Sequence, residues 1–129
     1  MLMVRDIMLK NVVTAKENIT IEASIRMLHR KHIGSVVITD NEDKCLGIFT
    51  ERDAIRTIAQ KIPLDTPLKK VMTREVHSIE ESASFAEAKM LIVSHGIRHV
   101  PVIDSKGKLV GLLAIRGFLD EIFGVKNQL

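Results

Sequence analysis

Two side chains placed three residues apart carry the most distinctive chemistry of the chain, in the segment Gly47-x-x-Thr50-x-x-Asp53. The segment predicts a strand-to-helix turn, where free backbone N–H groups favour an anion. The carboxylate can accept hydrogen bonds from both hydroxyls of a ribose, and the threonine hydroxyl can meet a phosphate. The same pair also matches a capping box, which needs no ligand. The motif therefore indicates a contact to a phosphorylated sugar, a helix cap, or both.

Histidine and cysteine side chains give weaker signals. His29 and His32 lie three residues apart on a predicted helix, but no cysteine or carboxylate cluster completes a metal site beside them. Cys45, the only cysteine, lies in a β-rich run without a base and an orienting group in a recognisable arrangement. A small buried thiol is therefore expected at this position. We expect no metal site and no enzymatic activity.

Composition narrows the class of protein. The 129 residues are 46% hydrophobic and 27% charged, which is ordinary for a folded domain. The net charge is +3, but basic and acidic residues are interleaved, and the chain has no Trp or Tyr. Nucleic-acid binders usually concentrate positive charge and add aromatic stacking platforms, so nucleic acid is not the expected partner. A single cysteine, no membrane-length apolar run and no recognisable signal peptide predict a cytoplasmic protein.

The chain contains an internal repeat. Sliding the sequence against itself by 64 residues aligns residues 8–55 with 72–119 without a gap. The identical pairs fall at the predicted turns and element ends: Met8/Met72, Val12/Val76, Glu17/Glu81, Ile33/Ile97, Val36/Val100, Asp40/Asp104, Lys44/Lys108, Gly47/Gly111 and Arg52/Arg116. A repeat of this kind is one structural unit used twice. We place the first copy at residues 1–60, a linker with two prolines at 61–68, and the second copy at 69–129.

Each copy predicts the order β-α-β-β-α. A short extended segment (residues 12–14 and 76–78) precedes a helix whose N-cap is Thr20 or Ser84. Two β-rich runs then flank a turn at residues 40–43 or 104–107, and a closing helix begins near Arg52 or Arg116. This order puts Thr50 and Asp53 at the turn from the last strand to the closing helix. The second copy has Ala114 and Gly117 at the matching positions, which predicts one intact site and one degenerate site.

These features together resemble the CBS domain, a family that occurs in tandem pairs called Bateman modules. The resemblance rests on Asp6-Ile-Met8 and Lys70-Val-Met72 ahead of the copies, on residues 95–104 (HGIRHVPVID), and on residues 47–53 (GIFTERD). It covers nearly the whole chain and identifies it as a free-standing CBS pair. The implied fold is α/β (α+β), with two tandem β-α-β-β-α repeats packed by a pseudo-two-fold.

The resemblance implies a regulatory module that binds AMP, ADP or ATP in the cleft between the repeats, requires no cofactor and signals to a partner protein. Thr50 and Asp53 correspond to the family's ribose- and phosphate-contacting motif. Thr14 and Ser78 would add contacts from the first strands. The residues that start the next strands would border the adenine: Ile33, Gly34, Ile97 and Arg98. Arg98 and His99 could also neutralise phosphates. The resemblance also implies homodimerisation, for which exposed apolar side chains of the closing helices could supply the interface: Ile55, Ile58, Phe118, Leu119 and Ile122.

Three rival interpretations stay open on the sequence. The chain could be a dimerising scaffold that docks onto an enzyme or transporter without a ligand, in which case Thr50 and Asp53 only cap a helix. It could instead bind S-adenosylmethionine, which would use Asp53 but need no phosphate partners at Arg98 and His99. A nucleic-acid module is a further possibility, recognisable by binding that weakens steeply with salt.

Overall fold

The computed structural model describes residues 1–114. The elements in chain order are α1 (Val4–Ile7), β1 (Thr14–Ala15), α2 (Ile21–Lys31), β2 (Ser35–Thr39), β3 (Cys45–Thr50), α3 (Glu51–Ala59), a 3-10 turn (Leu68–Lys70), β4 (Ile79–Glu80), α4 (Phe85–His95), β5 (His99–Ile103) and β6 (Leu109–Ala114). The predicted α/β class and the repeated β-α-β-β order are confirmed. The closing helix predicted for the second copy lies outside the described residues, together with Gly117, Phe118, Leu119 and Ile122.

One compact unit comprises residues 13–76. Its sheet has the order β1-β2-β3, parallel between the first two strands and antiparallel between the last two. Helix α2 begins where the Thr20 side chain accepts the backbone N–H of Ala23 (3.1 Å), as an N-cap should. It ends at His32, whose φ of 52° is left-handed. The core contains Ile21, Val36, Phe49 and other apolar side chains of α2, α3 and the sheet.

Among the described residues, the other compact unit joins residues 1–12 to residues 77–114. Its sheet has the order β4-β5-β6, with the same parallel and antiparallel pairings. Ser84 caps α4 by accepting the N–H of Glu87 (3.1 Å), as predicted. Gly96 ends that helix with a left-handed φ of 60°, a conformation in which glycine is favoured. Val4 is completely buried in the core of this unit, beside Val100 and Val102.

The segment at the start of each copy packs against elements of the other copy. We name residues 2–9 the first flanking segment and residues 66–73 the second flanking segment. The first flanking segment pairs with the start of α4 through Met3 and Ser84, and with β6 through Leu9 and Leu112. The second pairs with the start of α2 through Thr20 and Pro67, and with β3 through Ile48 and Thr73. The compact units therefore divide the chain differently from the sequence repeats, whose boundaries at 60 and 68 stay a prediction.

Glycine allows these segments to approach the strands closely. A Cβ placed on Gly47 would lie 2.7 Å from the carbonyl O of Thr73 and 2.9 Å from Sδ of Met72. A Cβ on Gly111 would lie 3.0 Å from the carbonyl O of Leu9 and would also collide with the Met8 side chain. The identity of Gly47 and Gly111 in the repeat thus reflects a shared packing requirement.

When the two copies are aligned by the repeat, the first strand begins one residue later in the second copy than in the first. Thr14 lies in β1, as predicted, and is its first residue, whereas Ser78 immediately precedes β4. In the first copy the N–H of Val37 donates to the carbonyl O of Val13 (3.1 Å). The matching residue of the second copy is Pro101, which has no N–H to donate. The strand assignment of Ser78 was therefore wrong, because proline removes one bond of the ladder.

Candidate functional site

The turn from β3 into α3 holds the predicted hydroxyl and carboxylate in direct contact. The backbone N–H of Thr50 donates to Oδ2 of Asp53 (2.9 Å), and the Thr50 hydroxyl donates to the same oxygen (3.1 Å). In return, the backbone N–H of Asp53 donates to Oγ1 of Thr50 (3.3 Å). This is the reciprocal capping box that the sequence predicts. The cap interpretation is therefore confirmed, whatever else the two residues bind.

The other carboxylate oxygen of Asp53 has two partners that the sequence analysis missed. The Arg56 guanidinium lies 3.3 Å from Oδ1, and the Thr73 hydroxyl donates to Oδ1 at 3.4 Å. Arg56 also donates to the carbonyl O of Val71 (2.9 Å). The three-residue spacing of Asp53 and Arg56 is a helical ion-pair signal that could have been read from the sequence. Thr73 gives no such signal, because it reaches Asp53 from the second flanking segment.

The Asp53 carboxylate is thus a nearly enclosed anion with four donors around it. Its side chain is 12% exposed, and a carboxylate offers about four lone-pair positions in all. Each of its two oxygens has two donors within 3.4 Å. Any ligand hydroxyl that bonds to Asp53 must therefore replace one of these donors or share its position.

The remaining predicted residues of this unit differ in how close they lie to the turn between β3 and α3. The carbonyl O of Gly34 accepts the N–H of Glu51 (3.0 Å), so the start of β2 is tied to the start of α3. Ile33, the preceding residue, is partly buried. Thr14 is exposed and pairs with Val37 on the other side of β2, so a neighbouring strand separates it from Thr50.

Four predicted residues lie in the other compact unit: Ser78, Ile97, Arg98 and His99. Ser78 and Arg98 are exposed, whereas Ile97 and His99 are partly buried. His99 begins β5 and pairs with Ala114, just as Ser35 pairs with Thr50 in the first copy. The second copy thus has the methyl group of Ala114 at the position where the first copy has the Thr50 hydroxyl. The assignment of all nine predicted residues to one ligand stays a prediction.

The Cys45 thiol and the potential metal ligands do not form a reactive site within the part of the chain that the structure describes. Burial raises the pKa of the Cys45 thiol, and the thiol also contacts the carbonyl O of Gly47 at 3.5 Å. Such a thiol is a poor nucleophile because its thiolate is disfavoured. Residues 1–114 hold no group of three or more His, Cys, Asp or Glu side chains that could bind a metal ion. None of the helices described is both long and apolar enough for a bilayer.

Both copies of the repeat are similar to known proteins. The family model for the CBS domain matches residues 4–60 and again 68–124. An uncharacterized 17.7 kDa protein of Acidianus ambivalens is 33% identical over 117 residues, which cover 91% of this chain and 71% of that protein. The chain spans 41% and 57% of the length of two further relatives.

Two solved structures have closely similar folds. The CBS domain pair of protein MJ0100, in complex with 5′-methylthioadenosine and S-adenosyl-L-methionine, has a TM-score of 0.87 and 27% identity, over 96% of this chain and 98% of that one. The CBS domain protein PAE2072 from Pyrobaculum aerophilum, complexed with AMP, has a TM-score of 0.86 and 25% identity, over 95% and 99% of the two chains. The family match spans nearly all of the sequence, in two copies that follow the internal repeat. The chain therefore belongs to the CBS domain family and carries a tandem pair of these domains.

Proposed function

We propose that this chain is a non-enzymatic regulatory module that binds an adenine nucleotide (AMP, ADP or ATP) through the ribose hydroxyls at Asp53. The enclosed, multiply hydrogen-bonded carboxylate of Asp53 at the start of α3 is the observation that carries the proposal. A carboxylate in this setting accepts charge-assisted hydrogen bonds, which are stronger than those between neutral groups. In this proposal the dominant contact of the site is to the ribose diol of the ligand.

The ligands of the two similar structures support a diol as the recognised group. Methylthioadenosine and S-adenosylmethionine accompany one structure, and AMP the other. These three compounds differ in charge and in the substituent at the 5′ position. They share adenine and a ribose with free 2′ and 3′ hydroxyls, and Asp53 offers the acceptor that such a diol requires.

A phosphate, if present, would meet the Thr50 hydroxyl and the N-terminus of α3. The Thr50 hydroxyl already donates its only proton to Asp53. A ribose hydroxyl that takes over Oδ2 would release this proton for the phosphate. Recognition of the sugar and of the phosphate is therefore coupled through one rotatable hydroxyl, which favours a nucleotide over its nucleoside.

Regulation requires that the ligand bind two states of the module with different affinity, which a partner protein then reads. We propose that the module acts as a homodimer in the cytoplasm. The exposed Ile55 and Ile58 of α3 are candidates for the dimer contact, because their side chains are large, apolar and 68% and 59% exposed.

A ligand-independent scaffold is the second candidate function. The completed hydrogen bonding of Asp53 favours it, since all four donors come from the protein and the cap needs nothing more. A module for S-adenosylmethionine is the third candidate, supported by the ligands of the MJ0100 structure. It would use Asp53 in the same way and lack the phosphate contact.

Ligand titration of an Asp53→Asn variant tests these candidates. We would measure the melting temperature and the dissociation constant of the parent with AMP, ADP, ATP and S-adenosylmethionine. A ligand at 100 times its dissociation constant stabilises a protein by about 2.7 kcal/mol. Replacing the carboxylate removes hydrogen bonds to a charged group, each worth about 1.5–3 kcal/mol, so binding should weaken about tenfold or more.

Asp65→Asn is the matched control, because it removes the same charge from an exposed loop residue. Its ligand affinity should equal that of the parent. The nucleotide proposal would be wrong if none of the three nucleotides bound at millimolar concentration, and binding of S-adenosylmethionine alone would favour the third candidate. Equal nucleotide affinity of the Asp53→Asn variant and the parent would instead place the site elsewhere.

A further inference from the structure

The four donors around Asp53 differ in how readily they can be replaced by a ligand. The backbone N–H of Thr50 is fixed by the start of α3, and the Thr50 hydroxyl bonds to the other oxygen, Oδ2, at 3.1 Å. Arg56 carries a full charge and is anchored a second time at the carbonyl O of Val71. The Thr73 hydroxyl makes the longest contact, at 3.4 Å, and belongs to an exposed residue. Thr73 is therefore the donor that leaves Oδ1 at the smallest cost.

Thr73 can leave without moving the backbone. Its N–H donates to the carbonyl O of Ile48 (3.0 Å), and its carbonyl O accepts the N–H of Ile48 (2.9 Å). These two bonds fix the main chain of the second flanking segment on β3. Only rotation about the Thr73 side-chain bond is needed to open one acceptor position on Asp53.

We propose that the Thr73 hydroxyl is a built-in competitor for the ligand, occupying on Oδ1 of Asp53 the position that a ribose hydroxyl takes. This inference rests on the proposed function, because it assumes a diol ligand at Asp53. It makes Thr73 a specificity-determining residue. The more firmly its hydroxyl holds Oδ1, the smaller is the advantage of a ligand with free hydroxyls over one without them.

Removal of the competing hydroxyl should strengthen binding of a diol ligand. Thr73→Val keeps the shape of the side chain and the backbone pairing with Ile48 while deleting the donor. The net worth of one ordinary hydrogen bond corresponds to about a two- to tenfold change in affinity. AMP should therefore bind Thr73→Val about two- to tenfold more tightly than it binds the parent.

A calorimetric titration of AMP and 2′,3′-dideoxy-AMP into the full chain tests the inference. The dideoxy compound has no hydroxyl to displace Thr73, so its affinity for Thr73→Val and for the parent should agree within about twofold. Thr73→Ser keeps the hydroxyl and should bind AMP like the parent. Thr73→Ala is a second variant without the hydroxyl, and it should repeat the effect of Thr73→Val.

Three other results would overturn the competitor role of Thr73. Unchanged or weaker AMP binding by the two variants without a hydroxyl would overturn the competitor role and leave the nucleotide proposal intact. Equal tightening of AMP and of the dideoxy compound would overturn it as well, because the effect would not depend on the hydroxyls. If the parent bound neither compound, the proposed nucleotide site and this inference would fall together.

Discussion

Alanine at position 47 tests the close contact between β3 and the second flanking segment. The added Cβ would lie 2.7 Å from the carbonyl O of Thr73, a separation that real Cβ atoms essentially never show. The Met72 side chain can shift away, but the Thr73 carbonyl is held by the N–H of Ile48 at 2.9 Å. Alanine must therefore push the segment off the strand.

The loss in the free energy of unfolding can be estimated from the contacts that alanine would disrupt. Two backbone hydrogen bonds join Ile48 and Thr73, and each is worth about 0.5–1.5 kcal/mol net. Overpacking of a filled site costs about 1–3 kcal/mol. Because the two contributions relieve each other in part, we expect Gly47→Ala to lower the free energy of unfolding by about 2–4 kcal/mol.

Gly107→Ala is the matched control, because a Cβ there has no atom within 4 Å. Its only cost comes from the left-handed backbone conformation of residue 107, with a φ of +83°. A left-handed alanine costs about 1–2 kcal/mol. Urea unfolding followed by circular dichroism gives both values, and hydrogen exchange of the Ile48 and Thr73 amides reports on the contact itself. Gly47→Ala should be the more destabilising variant and should expose both amides. Parent-like protection of these amides in that variant would refute the close-contact argument.

Two further predictions concern the hairpin loops and the dimer. Backbone N–H groups of Lys44 and Glu42 lower the pKa of Asp40, and those of Lys108 and Lys106 lower the pKa of Asp104 in the same way. Both loops should therefore keep their full stability above the ordinary aspartate pKa of about 4 and lose it as the pH falls through the lowered value. Amide exchange at the four donors measures this loss, and Asp40→Asn should remove it from the first loop only. Ile55→Lys should turn a dimer into a monomer in light scattering, whereas Met90→Lys, at an equally exposed position of α4, should not. A monomeric parent would contradict the dimer.

Local features of the fold were predictable from the sequence because they depend on neighbouring residues. Thr20 and Ser84 cap helices through bonds to residues three positions later. Gly96 ends a helix where a left-handed φ is needed. Ser78 shows the limit of reasoning from the repeat, because Pro101 changes the ladder in one copy only.

The repeat can be read from the sequence because it needs only a comparison of residue types along the chain. The strand-to-helix turns and the capping pair of Thr50 and Asp53 can be read because they involve residues within one or two helical turns of each other. The other partners of the Asp53 carboxylate depend on the tertiary structure. Thr73 lies 20 positions further along the chain and reaches Oδ1 because its segment pairs with β3. That pairing depends on the path of the chain, which no local pattern encodes. The motif was therefore readable from the sequence, whereas the competition for its carboxylate was not.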